Sequence, residues 1–131
     1  MGEKRGPLRR GIAVKPFIAK VYAGFSPAHE ACRLAVENAG ITALGTDIPW
    51  LFLKGDILQI TWEGVYFPLD EVLQALSGCL PPEAEGKIDF LDLEGWSLTR
   101  HVLLQGTKPG QPDRFSIAIR CLNHVMDHSG F

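Results

Sequence analysis

Apolar and polar residues alternate in short runs along much of the chain, and two of those runs share a pattern. Leu51-Phe52-Leu53-Lys54-Gly55-Asp56-Ile57-Leu58 and Leu91-Asp92-Leu93-Glu94-Gly95-Trp96-Ser97-Leu98 both read L-x-L-x-G-x-x-L, forty residues apart. Two alternating leucines before a glycine, and another leucine after it, describe a strand, a tight turn and a second strand. Each copy is followed by a run with helical periodicity, so the pattern predicts a duplicated strand–strand–helix unit.

The elements follow from that frame. Trp50–Leu53 and Ile57–Trp62 are predicted to form one hairpin about Gly55-Asp56, a pair suited to a turn with glycine first. Lys87–Leu93 and Ser97–Leu104 form the other. A first helix is predicted to start at Ser26-Pro27, where the serine hydroxyl can cap free N–H groups, and to stop at Gly40. Its apolar stripe is small throughout: Ala28, Ala31, Cys32, Ala35 and Ala39. A second helix spans Pro68–Cys79 with Leu69, Val72, Leu73, Leu76 and Leu80 on one side, and Asp70 and Glu71 at its positive end. A Gly/Pro-rich loop over 106–112 leads to a third helix, Arg114–Asp127, capped by Asp113. Residues 12–23 alternate as a strand would, although Pro16 could equally open a short helix there. The expected molecule is a flexible basic tail over 1–11 and a single α+β domain over 12–131. Its mostly antiparallel sheet would have four to five strands, with helices on one face.

Composition narrows the functional classes. A length of 131 residues suits one domain. The mean hydropathy of +0.06 is high for so small a chain, so some apolar area is expected to meet a partner or a second copy. A net charge of −2 argues against bulk attraction to nucleic acid or anionic lipid. Lys4, Arg5, Arg9, Arg10 and Lys15 nevertheless form a basic arm opposed only by Glu3. With no aromatic residue among them to stack on bases, weak nucleic-acid binding through this arm is only an alternative. No apolar run approaches the ~20 residues of a membrane-spanning helix, and Lys15, Pro16 and Lys20 break the one signal-like stretch. Cys32, Cys79 and Cys121 are odd in number and lack C-x-x-C spacing, so they read as free thiols in a reducing, cytoplasmic compartment.

No dinucleotide, P-loop or G-x-S-x-G pattern occurs, and no cofactor is expected. Two clusters carry what chemistry there is. On the predicted last helix, Ile117, Cys121, His124 and His128 form a stripe turned away from the apolar side. His124 and His128, with Cys121, are suitable zinc or copper ligands. Seven residues of helix span about 10 Å, however, so one ion cannot hold all three, and a partner contact is the stronger reading. In the second hairpin, alternation places Asp92 on the same face as His101, a carboxylate and imidazole that could serve as an acid–base pair in the right register. The leading expectation is a non-enzymatic binding or protein-interaction domain that self-associates as a homodimer or meets another protein. The alternative is a small-molecule-binding protein or small enzyme using His101/Asp92 or a metal at His124/His128.

Overall fold

The computed structural model describes residues 19–121. The basic arm, the first part of the opening strand, His124 and His128 lie outside these described residues. In chain order the elements are β1 (Ala19–Ser26), α1 (Glu30–Leu44), β2 (Leu51–Lys54), β3 (Ile57–Gly64), α2 (Leu69–Cys79), β4 (Glu85–Asp92), β5 (Ser97–Leu103) and β6 (Phe115–Cys121). All six strands join one sheet in the order β2–β3–β1–β4–β5–β6, with every neighbouring pair antiparallel. The units β1–α1–β2 and β3–α2–β4 interleave, each accepting a strand of the other between its own two strands. This is the split βαβ arrangement, here extended at one edge by β5 and β6.

The fold class is therefore the expected α+β, with six strands rather than four or five. Its core lies between one sheet face and the two helices. Val21 and Phe25 of β1, Leu58 and Ile60 of β3, and Ile88 of β4 pack with Val36 of α1 and Val72 and Leu76 of α2. Beyond the reach of the helices the apolar side changes over. Leu91 and Leu98, with Leu93, make a second, smaller cluster, and the register puts Leu91 and Leu98 on the opposite face of the sheet. None of the described helices is long and apolar enough to cross a membrane.

Both L-x-L-x-G-x-x-L copies close hairpins, but differently. The first is tight: Lys54 pairs with Ile57, and Gly55 takes the left-handed conformation (φ 65°) at the first turn position. The second leaves four residues between Asp92 and Ser97, and Trp96 takes the positive φ (54°). A helix follows the first copy and a strand, β6, follows the second, so the strand–strand–helix unit does not repeat.

The predicted last helix is thus overturned over its described part. Phe115–Cys121 pairs with the full length of β5, from Leu103 opposite Phe115 to Ser97 opposite Cys121. Phe-Ser-Ile-Ala-Ile-Arg-Cys alternates with period two as well as it satisfies a helical spacing. The β-branched isoleucines favour the strand, and β5 supplies the partner.

The first helix is also shifted. It begins at Glu30 because β1 runs on through Ser26, which pairs with Glu85. It passes through Gly40 and ends at Gly45, whose φ of 71° suits a helix terminus. Gly40 is a packing site instead: a Cβ there would lie 2.9 Å from the Trp50 ring, which lies edge-on to Phe67. The buried stripe is Cys32, Val36 and Gly40, and Ala31 is exposed. Cys32 and Cys79 form a disulfide that ties α1 to α2, which corrects the expectation of three free thiols; Cys121 is free and exposed.

Candidate functional site

Strand alternation sends Ser97, Thr99, His101 and Leu103 of β5 to the helix side, and Leu98, Arg100 and Val102 to the open side. His101 pairs across with the core residue Ile88 on one side and Ile117 on the other, which forces its ring under α2. The ring is 6% exposed, and neither Nδ1 nor Nε2 has a hydrogen-bond partner. It lines a cavity of about 310 Å³ between α2 and the β5–β6 hairpin. Asp70, Leu73, Gln74 and Ser77 form the helical wall, at i, i+3, i+4 and i+7 on one face of α2. Phe115 and Ile117 of β6 line the cavity from the strand side, together with Pro112 from the preceding loop.

A neutral imidazole carries one donor and one acceptor. Leaving a buried polar group unpaired costs about 1–3 kcal/mol, so two such atoms on one ring are expensive to keep. The sheet does not require them, since any apolar residue of similar size would fill the position. Burial pushes the His101 pKa below its ordinary value, against a weaker opposing pull from Asp70 and Asp89. The ring at neutral pH is therefore uncharged; it borders a half-open, mainly apolar space, with both nitrogens closed off from solvent.

Arg114 holds the far end of this site in place. It is fully buried, yet no carboxylate among the described residues pairs with it. Its Nη1 donates to the carbonyls of Ser77 (3.2 Å) and Leu80 (2.7 Å), its Nη2 to Pro81 (3.1 Å) and its Nε to the Thr107 hydroxyl (2.8 Å). These are carbonyls that the end of α2 and the following turn expose, so the guanidinium caps the negative end of the helix. Burial lowers its pKa, but a guanidinium stays protonated. By fastening the C-terminus of α2 to the first residue before β6, Arg114 sets the separation of the two cavity walls.

The predicted site residues are distributed differently. Asp92 is on the same face as His101 but at the Ser97 rung, four residues and about 13 Å along the strand. Its Oδ1 accepts the backbone N–H groups of Glu94 (3.0 Å) and Gly95 (2.9 Å), so it shapes the hairpin loop and is not brought to His101. Ile117 lines the cavity, whereas Cys121 is exposed at the opposite end of β6. The helical stripe that would have aligned Cys121 with His124 and His128 is absent over the described residues. Among these, no group of three His, Cys, Asp or Glu residues could hold a metal.

The acid that does approach His101 is Asp70, whose place in the sequence suggests only a favourable charge at a helix start. The available signal was the polar edge Asp70, Gln74 and Ser77, running beside the apolar stripe of α2. Asp89 faces the other way. Burial alone would raise its pKa, but the bidentate Arg100 (2.7 and 2.9 Å) and Lys87 (3.0 Å) together outweigh this and lower it. The open face also carries a trough of about 480 Å³ lined by Tyr22, Gly86, Lys87 and Val102 among others. No unpartnered buried polar group opens into it, and Lys87 is already paired with Asp89. Compared with protein-family models, curated proteins and solved structures, the chain matches none.

Proposed function

We propose that the protein is a small-molecule-binding domain whose site is the cavity beneath α2, with His101 as its polar anchor. One observation carries this reading: a histidine buried to 6% exposure, with both ring nitrogens unpaired, lines a half-open space of ligand size. No described side chain is hydrogen-bonded to the ring to relay a proton, so binding is favoured over catalysis. A fragment library tested by ligand-observed NMR should give hits with the wild type that are lost in a folded His101→Leu variant. Identical hits for both proteins would place the site elsewhere.

Self-association through β6 is a second reading, with its own observation. Ile117 and Ile119 are 63% and 71% exposed. The Leu104 N–H donates to the Arg114 carbonyl (2.7 Å), which sets the hydrogen-bonded rungs at Val102–Ser116 and Arg100–Ala118. The backbone groups of Ile117 and Ile119 therefore face away from β5, along an edge that no described strand covers. A second copy, pairing β6 with β6, would cover both the edge and the exposed isoleucines. Ile119→Lys should then shift the mass in sedimentation velocity from dimer to monomer; an unchanged mass would sink this reading.

The nucleic-acid and His124/His128 metal alternatives rest on residues outside the described range and gain no support here. Cytoplasmic placement is the default for a sequence with no spanning or signal-like segment, and three unpaired thiols would agree with it. With Cys32 bonded to Cys79 that agreement is gone, and we propose no compartment.

A further inference from the structure

We infer that the His101 cavity selects small organic amines, a protonated amino group on a short aromatic or alkyl body; this rests on the cavity being the binding site. The lining decides the sign of the ligand. Asp70 is its only acidic side chain, Glu71 follows it on the same helical turn, and no lysine or arginine lines the space. Arg114 could offset them, but it does not line the space, and its donors are committed to the Ser77, Leu80 and Pro81 carbonyls and the Thr107 hydroxyl. Those carbonyls lie at the other end of α2, about 10 Å from Asp70 along seven residues of helix. An anion would find no basic side chain in the lining itself. A cation would find the Asp70 carboxylate at the exposed edge of the space and, further in, a neutral imidazole.

The remaining wall fixes the body of the ligand. Leu73, Phe115 and Ile117 present hydrocarbon, and the Phe115 ring offers a face to an aromatic group or to the cation itself. The His101 nitrogens are closed off by the surrounding packing, so they meet a polar atom of the ligand only once the ring turns toward it.

Three isosteric probes separate the possibilities: 2-phenylethylamine, 2-phenylethanol and phenylacetate, titrated into the full chain while the His101 ring resonances are followed by NMR. The amine should bind at least tenfold tighter than the alcohol, with phenylacetate the weakest. In Asp70→Asn the amine should fall to the level of the alcohol, whose own affinity stays within twofold. Phenylacetate binding tightest, or an amine preference surviving in Asp70→Asn, would overturn the assignment of ligand class while leaving the cavity as the site. If none of the three probes moves the His101 resonances at millimolar concentration, the site and the ligand class both fail.

Discussion

Arg114→Met should cost about 3–4 kcal/mol of folding stability. The variant keeps the length and apolar stem of the side chain but removes all four of its hydrogen bonds. The carbonyls it leaves do not suffer equally. Ser77 still accepts from the Gly110 N–H, and Pro81 from the Ala84 N–H. Leu80, which ends α2, is left with no other bond of this kind among the described residues. The loss therefore comes mainly from one orphaned carbonyl and three charge-assisted bonds, which is why it is set below a simple sum over four. Arg114→Lys should lose at least half as much, because one ammonium group cannot reproduce the spread of the guanidinium fork. Urea unfolding checks both; a change below about 1 kcal/mol for Arg114→Met would show that the cap contributes little.

Gly86→Ala should cost about 3 kcal/mol, for a reason held in the backbone. Gly86 lies opposite Phe25 in the β1–β4 pairing and has a φ of 154°. A Cβ there would run into the Gly24 carbonyl and would lie 2.8 Å from the Phe25 Cα. Neither atom can move without parting two central strands. Gly24, one residue away on β1, is the control: a Cβ on it meets nothing within 4 Å. Gly24→Ala should stay within about 0.5 kcal/mol of the wild type in the same unfolding experiment. Equal effects at the two positions would contradict the register given for β1 and β4.

Local pattern made some of this legible and tertiary context decided the rest. The first hairpin could be read because Gly55 supplies a turn that flanking alternation demands, and α2 because Leu69, Val72, Leu73 and Leu76 satisfy one period only. Phe115–Cys121 satisfies two periods, and only the vacant edge of β5 selects between them. Gly40 looks like a helix stop, yet it is the place where Trp50 needs a residue without a side chain. The disulfide joins residues 47 apart in sequence, a proximity that only the packing of α1 on α2 creates.

For the site, His101 was visible as a candidate on β5, but its partner was not. Asp92 shares its face without sharing its rung, because the hairpin loop has four residues rather than two. Asp70 reaches the cavity from α2, two elements before β5 in chain order, through packing that no local spacing encodes. Arg114 reads as an ordinary surface residue until the end of α2 is brought against it.

The central claim is that His101 is retained for a ligand and not for the fold, and equilibrium urea unfolding of the wild type beside His101→Leu, at pH 7 and pH 5.5, tests it most directly. Because burial lowers the folded-state pKa, the unfolded chain takes up the proton first on acidification. The stability tied to the neutral ring is present above the ordinary histidine value near 6.5 and is lost as the pH falls through it, with a slope of at most about 1.4 kcal/mol per pH unit. The account predicts that His101→Leu is at least as stable as the wild type at pH 7, by up to about 1 kcal/mol, and that its advantage grows at pH 5.5. A variant about 2 kcal/mol or more less stable at pH 7, with the pH dependence of the wild type unchanged, would mark His101 as a structural residue and contradict the account.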